Sequence, residues 1–503
     1  MKAIATLAIL SLTAAVLHAQ TNAPAAKAAA AAPPPAAPSA FEKFTQDTKK
    51  PTDWLTWDGD LRVRNEYFNN AISLTDTAVG HEQDVIRFRG RLWATATPVD
   101  GLSFNTRLSA EPREFLKPSF ASSFRSPPAT GSGRTGMEWR YGIFDILNLK
   151  WTNAFNQPLS ITAGRQDIMF GDYYDWWLVL DGTPGDGSWT FFLDSVRVSF
   201  DAKELKTKFD LIALYQSARP GDWLPTLDNS GPTTSNPSGY GLTEQNEAGA
   251  ILYASNKSLK NTQIDGYFIY KGDSKEFANG DNADIYTLGA KVTGTPAEHW
   301  QYSVEGAYQF GTKEDRILGT FAERDIRAYG GKLKASYLFK DKLNNQVSLV
   351  GEFLSGDDPN TTGTDEMFDV LWGRWPRWSE LYIYSYIMEN GGKIAQLNNL
   401  GRIGPSWTLS PIKNMSLSVM YNALFAPEDP SRQRDLNPAL PGVQNNLFSY
   451  DGNFRGHYLQ TVLKHTFNKH LNAHLWAEFV WEGDYYAQRD MMSFLRGEVY
   501  LTW

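Results

Sequence analysis

Apolar and cationic side chains alternate over residues 85–96, and this period of two predicts a β-strand. Successive side chains of a strand point to opposite faces, so Arg87, Arg89 and Arg91 would share one face and apolar side chains the other. Such a strand suits two kinds of protein. In a soluble sandwich the apolar face packs into the core, whereas in a membrane barrel it contacts lipid and the arginines face a wet lumen.

The same alternation recurs along most of the chain. Residues 57–67 place Arg62 and Arg64 on a polar face, and Arg107 and Arg197 belong to later segments of the same kind. The further alternating segments are 102–110, 147–151, 159–163, 195–200, 209–215, 286–292, 302–308, 347–353, 417–421, 459–464 and 473–479. At roughly 10 residues per spanning strand, the length predicts an all-β, antiparallel transmembrane barrel of about 18 strands.

The links and the last strand fit a closed barrel. Residues 98–101 predict a tight turn, whereas the connection 112–140 is long and rich in Ser, Pro and Gly. We therefore predict short periplasmic turns and long extracellular loops. Residues 495–503 alternate and end on Trp503, which resembles the aromatic-ended assembly signal of bacterial outer-membrane proteins. A strand at the chain end needs a partner, so we expect it to pair with the first strand.

The N-terminus predicts export. Residues 1–19 combine Lys2, an apolar run and a small residue, Ala19, which is the pattern of a secretory signal peptide. Residues 20–40 are rich in Ala and Pro and predict a periplasmic linker, and residues 41–503 would form the barrel. The chain contains no cysteine, which excludes disulfides and cysteine-ligated metals.

Size and hydropathy are compatible with a barrel. A single soluble domain of roughly 460 residues would be unusual, because soluble cores usually split beyond about 250 to 300 residues. A barrel adds strands without thickening a core. After the N-terminus the sequence contains no long apolar run, so it predicts no membrane-spanning helix. The mean hydropathy of -0.41 resembles that of soluble proteins, but strands with one polar and one apolar face average to such a value.

Four segments resemble the alginate-export family of outer-membrane barrels. Residues 164–172 begin with Gly-Arg-Gln, and residues 193–198 resemble the strand that follows in that family. Residues 355–360 and 368–369 resemble its acidic loop. The resemblance implies a barrel of about 18 strands with an electropositive pore that passes an anionic polysaccharide.

Eight arginines form the predicted pore lining. They are Arg62, Arg64, Arg87, Arg89, Arg91, Arg107, Arg165 and Arg197. A cationic lining would attract carboxylated sugars and repel cations. Alternatively, the arginines pair with acids of the barrel such as Asp60, Glu66 and Glu498, because a guanidinium binds either kind of carboxylate. Simple alternation places Arg165 on the apolar face unless Gly164 marks a bulge.

The region from residue 355 to residue 387 carries further candidates. Its aromatic side chains either stack on sugar rings or belong to an interface girdle or a folded loop, and we favour the second interpretation. They are Trp372, Trp375, Trp378, Tyr382, Tyr384 and Tyr386, and the three tyrosines are predicted to share one face of a strand. The acids from Asp357 to Glu366 either bind Ca²⁺ or are solvated, and we favour solvation.

No motif supports catalysis, so we expect no enzyme activity, cofactor or metal site. Nucleic-acid binding is not expected for an exported chain with a net charge of -8. We predict an outer-membrane channel of a Gram-negative bacterium, with a periplasmic N-terminus, that passes an anionic polysaccharide or oligosaccharide. Its partners would be outer-membrane lipid, the polymer, and periplasmic export or synthesis proteins. An uptake porin and a secreted soluble polysaccharide-active protein are the alternatives.

Overall fold

The computed structural model describes most of the chain after residue 39. The described residues are 40–77, 81–117, 142–170, 178–179, 192–227, 242–314, 322–373, 377–390, 393, 398–431 and 447–503. The predicted signal peptide, and all but the last residue of the predicted linker, lie outside this part. The chain divides into two units, residues 1–48 and 49–503. Helix α1, Ala40–Lys49, belongs almost entirely to the first unit, and the second unit is mainly sheet.

Twenty strands make up the second unit. The first ten are β1 Leu55–Asn69, β2 Glu82–Val99, β3 Leu102–Ala110, β4 Arg113–Lys117, β5 Gly142–Trp151, β6 Leu159–Gln166, β7 Leu193–Ala202, β8 Thr207–Gln216, β9 Gln245–Asn256 and β10 Thr262–Lys275. The others are β11 Ala283–Ala297, β12 Trp300–Glu314, β13 Glu323–Leu338, β14 Gln346–Leu354, β15 Thr364–Asp365, β16 Leu400–Leu409, β17 Met415–Phe425, β18 Phe454–Thr466, β19 Leu471–Glu482 and β20 Met491–Thr502.

Eighteen of these strands form a closed antiparallel barrel, as predicted. The first strand pairs with β2 on one side and with β20 on the other, in a register that runs from Asp60 opposite Thr502 to Asn69 opposite Ser493. The two short strands β4 and β15 are additions that pair with β2 and β13. Closure satisfies the backbone groups of β1 and β20, which would otherwise be open edges in lipid.

The two ends of the barrel differ in the length of their links. At one end, which we call the short-turn end, eight short links join the strands, including the predicted turn between β2 and β3. The two longest of these links, residues 152–158 between β5 and β6 and residues 339–345 between β13 and β14, have seven residues each. At the opposite, long-loop end the connections reach 45 residues, as between β14 and β16. The barrel therefore begins at Leu55 and ends at Thr502 on the short-turn side.

The polarity of the strands is the reverse of that in a soluble protein. On β1 the apolar Leu61 and Val63 are 49% and 45% exposed, whereas Arg62 and Arg64 are 1% and 0% exposed. The same contrast recurs around the barrel, with exposed apolar residues on the outer face and buried charged residues inside. Charged residues are rarely buried in soluble proteins, so this pattern indicates lipid outside and a polar lumen within.

None of the alternating segments singled out in the sequence covers the barrel strands β9, β10, β13 and β16. The predicted strand that carries Tyr382, Tyr384 and Tyr386 was wrong. These tyrosines lie on helix α2, Leu381–Glu389, not on one face of a strand. The segment is apolar or aromatic at nearly every position, and a helix that is apolar all round is buried. The three tyrosines are indeed buried. None of the described helices is long and apolar enough to cross a membrane.

We predict that Val63→Arg destabilises the barrel by about 2–4 kcal/mol, the cost of a cation on the lipid face near the bilayer centre. Val63→Ala provides the matched control, because it removes apolar area without adding charge. The measurement is the free energy of unfolding of the protein from lipid vesicles in denaturant. Equal unfolding free energies for the two variants would contradict the assignment of this face to lipid.

Candidate functional site

Five of the eight predicted arginines lie together at the seam where the barrel closes. Strand β1 contributes Arg62 and Arg64, and strand β2 contributes Arg87, Arg89 and Arg91. All five point into the barrel, and all but Arg91 are buried. Since β1 pairs with both β2 and β20, their side chains meet those of the last strand.

Acids of the barrel surround these arginines. Arg62 lies 2.7 Å from Glu111, and Arg87 lies 2.9 Å from Glu66. The Nε atom of Arg91 donates to Asp60 at 2.8 Å. Across the seam, Arg64 binds Glu498 of β20, and Arg496 of β20 binds Glu66. The arginines therefore form an ion-pair network that ties the first two strands to the last.

The network includes the predicted partners Asp60, Glu66 and Glu498. It also includes Glu111, which the sequence did not single out because it follows β3 in a connection. Removing one partner of a buried ion pair typically costs about 3–5 kcal/mol, because a charge is left uncompensated. The seam arginines consequently contribute to the architecture of the barrel.

Arg107 and Arg197 each face a carboxylate on the neighbouring strand. Arg107 binds Asp145 at 2.8 Å and Asp167 at 3.1 Å, and Arg197 binds Asp210 at 2.7 Å. The register between β3 and β5 shifts at Asp145, which brings its carboxylate to the arginine.

Arg165 also points inward, contrary to simple alternation. The preceding Gly164 has a φ of +121°, a conformation that side chains rarely adopt, and a Cβ there would lie 2.4 Å from the carbonyl oxygen of Leu147. Arg165 is 2% exposed and its Nε donates to Asp194 at 2.9 Å. The positive φ of Gly164 therefore re-aims the arginine, whereas the register of β6 with β5 and β7 is unbroken at this residue, so the hypothesised bulge is not found there.

Three of the predicted arginines line a cavity of about 850 Å³ in the short-turn half of the barrel. These are Arg91, Arg107 and Arg197, and the wall is formed mainly by β2 to β8. Lys150 and Lys208 add two more cations, and Asp167 and Asp201 add two acids. We call this space the arginine cavity. Its charges are mixed, because each lining arginine also contacts an aspartate.

A second cavity, of about 920 Å³, lies along the opposite wall, from the turn between β9 and β10 to β19. Among the described residues its charged lining consists of six cations, without an Asp or Glu side chain. The cations are Lys257, Lys332, Lys334, Arg377, Arg402 and Lys464. We call this space the cationic cavity. Two of the six contact acids behind the lining: Lys332 lies 3.2 Å from Glu305, and Arg402 lies 2.7 Å from Glu352.

Hydroxyl and amide groups fill most of the remaining polar wall of the cationic cavity. The hydroxyl-bearing lining residues include Thr262, Thr293, Ser303, Ser336, Ser348, Ser406, Thr408, Ser416 and Ser418. Each hydroxyl can both donate and accept a hydrogen bond, as a sugar hydroxyl can. A wall of cations and hydroxyls is chemically suited to an anionic carbohydrate.

None of the six cations of the cationic cavity was among the eight predicted residues. A signal was present on β13, where Lys332 and Lys334 flank the outward Leu333 in the same alternation that marked Arg87 and Arg89. Arg377 lies outside any strand, so its place in the wall depends on the fold of the connection that carries it.

In that connection, residues 355–399 between β14 and β16, most of the described residues are packed inside the barrel, and we call the connection the inner loop. Its described residues contact inward-facing side chains on several strands. Trp372 Nε1 donates to Glu247 on β9 at 3.0 Å, and Gln309 on β12 donates to the Asp369 carbonyl at 2.6 Å. The inner loop thus narrows the lumen on the long-loop side of the cationic cavity.

Helix α2 of the inner loop is held at both ends. At its N-terminus, Glu478 on β19 accepts hydrogen bonds from the backbone N–H groups of Glu380 and Leu381, at 2.8 and 2.9 Å. At its C-terminus, Glu389 accepts from Arg455 at 2.5 Å and from Tyr486 at 2.6 Å. An acid at a helix N-terminus is favourable because it satisfies free N–H groups.

Burial shifts the titration of two groups in the inner loop. Burial lowers the pKa of Lys393 below its usual range, although Asp281 lies 2.7 Å from its ammonium. Burial also raises the pKa of the Tyr386 hydroxyl well above its usual value. Both shifts reflect a loop that is packed inside the barrel and withdrawn from bulk water.

The aromatic side chains of the inner loop pack within a folded loop, as favoured from the sequence. Trp372, Trp378 and the three tyrosines of α2 are buried, and the ring of Trp378 lies 5.0 Å from that of Tyr458 on β18. Trp375 and residues 171–172 of the family-like segment lie outside the described residues. Trp378 nevertheless contributes to the lining of the cationic cavity.

The expectation that the acids of the inner loop are solvated was wrong for Asp357 and Asp365, which are buried, and Asp357 contacts β13. Arg324 binds Asp357 through two hydrogen bonds, at 3.0 and 2.9 Å. Among the described residues, no group of three or more His, Asp or Glu side chains could hold a metal ion.

The sequence of the chain matches a known family along most of its length. The model of the "Alginate export" family matches residues 53–494. The chain belongs to the alginate export family. It is accordingly an outer-membrane β-barrel, and it functions as an outer-membrane channel. No curated protein matches the chain in sequence.

Solved porin structures share the fold of this alginate export family member. The crystal structure of Acinetobacter baumannii OccAB1 superposes with a TM-score of 0.52 at 9% identity, over 89% of this chain and 96% of that one. A BenF-like porin from Pseudomonas fluorescens Pf-5 gives a TM-score of 0.50 at 8% identity, over 89% and 98% of the two chains. At such low identity the likeness shows the fold alone.

We predict that Gly164→Ala destabilises the barrel by about 1–3 kcal/mol, because alanine strains the backbone at a positive φ and its Cβ meets the Leu147 carbonyl. The matched control is Gly266→Ala on β10, where a Cβ would have no neighbour within 4 Å. The free energy of unfolding from lipid vesicles measures both. If the two variants unfold alike, the positive φ of Gly164 does not constrain the strand.

We also predict that Glu389→Ala loosens the inner loop, because it leaves the buried Arg455 without its acid and costs about 3–5 kcal/mol. The expected result is a larger and noisier single-channel conductance, together with faster protease cleavage within residues 355–399. Glu276→Ala, an exposed acid at the long-loop end, is the control. Unchanged conductance and cleavage would show that this ion pair does not hold the loop.

Proposed function

We propose that this channel passes an anionic polysaccharide or oligosaccharide through a cationic lumen, without chemistry. The observation that carries the proposal is the cationic cavity, whose lining, in the part of the chain that the structure describes, contains six cations and no carboxylate. A lumen wall of one charge sign raises the local concentration of the opposite ion. The membership of the alginate export family supports the choice of an anionic polysaccharide over other anions.

The eight predicted arginines contribute unequally to the proposed binding of the anion. Arg91, Arg107 and Arg197 line the arginine cavity and would present guanidinium groups to a passing carboxylate. Their aspartate partners cancel part of the positive potential, however, since opposite charges in contact leave only a dipole at a distance. The remaining five contribute through barrel-interior ion pairs, so we assign the main electrostatic filter to the cationic cavity.

We propose a periplasmic N-terminus, preceded by a signal peptide at residues 1–19 and a linker at residues 20–40. The position of Leu55 and Thr502 at the short-turn end supports this orientation, because short turns are periplasmic in bacterial barrels. The long-loop end would then face outside. Periplasmic export or synthesis proteins would meet the channel at its short-turn end.

An uptake porin for small anions or oligosaccharides is the second candidate. The inner loop favours it, because a helix buried in the lumen leaves less room for a polymer than an open barrel would. Channel block by uronate oligomers of increasing length distinguishes the candidates. A porin for small solutes excludes chains above a short length, whereas a polymer channel is entered by long chains as well.

We predict that Lys334→Gln/Lys464→Gln lowers the chloride-to-potassium permeability ratio by at least about fivefold, since two unit charges, each about 8 Å from an ion in water, together contribute about 1 kcal/mol. The measurement is the reversal potential of single channels in a salt gradient. Arg327→Gln, an exposed residue of β13, should leave the ratio unchanged. A double variant that retains the full anion preference would refute the cationic cavity as the filter.

A further inference from the structure

The short turns carry lysine on one side of the barrel only. The turn between β7 and β8 exposes Lys203 and Lys206, and the turn between β9 and β10 exposes Lys257 and Lys260. All eight short turns belong to the described residues, so the comparison covers the whole mouth of the barrel. We call the exposed lysines of the short turns the lysine rim.

Three later turns complete the lysine rim. Lys340 and Lys342 lie between β13 and β14, Lys413 between β16 and β17, and Lys469 between β18 and β19. The turn between β11 and β12, inside this sector, has no lysine and carries Glu298, which lies 2.9 Å from Lys340. The two remaining turns, β2–β3 and β5–β6, contain no lysine at all.

The sector with lysines covers the wall of the cationic cavity and extends beyond it by one turn. That wall runs from the β9–β10 turn to β19, and the rim runs from the β7–β8 turn, beside the arginine cavity, to the β18–β19 turn. Lys257 belongs to both, because it lies on a turn and also lines the cavity. The rim therefore continues the cationic surface of the lumen out to the mouth.

Contact with membrane lipid does not account for this one-sided charge. Exposed apolar side chains occur on short turns in both sectors: Val99 and Phe155 are 61% and 68% exposed where lysine is absent, and Leu205 and Leu259 are exposed beside the lysines. Lipid surrounds the whole circumference of the barrel, and the exposed apolar residues likewise occur in both sectors. Lysines that are concentrated around the sector of the cationic cavity instead fit a ligand that approaches the lumen.

We propose that the lysine rim is the capture surface for the anionic polymer at the short-turn end, from which the polymer enters the cationic cavity. This proposal rests on the proposed function and adds the place of first contact. Several lysines spaced around one side would hold a flexible polyanion at many points. Electrostatic steering of this kind raises association rates by about 10- to 1,000-fold at low salt.

The test is block of single channels in a planar bilayer by polygalacturonate, added to one side and then to the other. Wild-type channels should be blocked faster from one side at low salt. The difference should vanish near 1 M salt, where the Debye length is about 3 Å. Lys260→Glu/Lys342→Glu/Lys413→Glu should slow the faster block at least about tenfold while leaving the reversal potential unchanged, since none of the three lines either cavity.

The matched control reverses three exposed cations of the long-loop half, Lys275→Glu/Arg327→Glu/Arg489→Glu, and should keep the faster block. Equal block rates for wild type and rim variant would overturn the proposal. The proposal would also be overturned if the rim variant changed only how well the protein inserts into vesicles of anionic lipid, because the lysines would then bind lipid headgroups and not the polymer. A reversal potential that shows no anion preference in the wild-type channel would refute the proposed function itself.

Discussion

Closure of the barrel through β1 and β20 is the constraint on which the structure depends. Lipid offers no hydrogen bonds to a strand edge, so the first and last strands must find each other across the entire length of the chain. The pairing from Asp60 to Asn69 meets this need for the backbone. The side chains meet it as well, because Arg64 binds Glu498 and Arg496 binds Glu66 across the same seam. These contacts specify the register, since a slip by one residue would turn the charges toward lipid.

The cations of the lumen consequently divide into two classes. Those at the seam lie against carboxylates and stabilise the meeting of strands, which leaves little net potential for a solute. Among the described residues no carboxylate lines the wall of the cationic cavity, although Lys332 and Arg402 contact Glu305 and Glu352 behind it, so we expect a positive potential in the space beside this wall. A count of arginines alone does not separate the classes, because the difference lies in which acids the register brings beside each cation.

The sequence predicted the fold well and the site only in part. Alternation is a local signal, and it correctly placed Arg62, Arg64 and Arg87 inside the barrel. The partners of these arginines lie on other strands, and pairing register is not encoded within one segment. Helix α2 was missed for a different reason: it is apolar on all sides, so its sequence shows no helical period, and only its packing inside the barrel explains it.

The inner loop sets the width of the lumen, which is a property separate from its charge. A ring of 18 strands leaves a lumen wider than side chains alone can fill. The inner loop takes up part of that width and is fixed by contacts at both ends of α2, to β19 and to β18. In the proposed channel, selection by size would therefore depend on how firmly this loop is held, whereas selection by charge would depend on the wall beneath it. Because different residues carry the two properties, a substitution that alters one of them would leave the other in place.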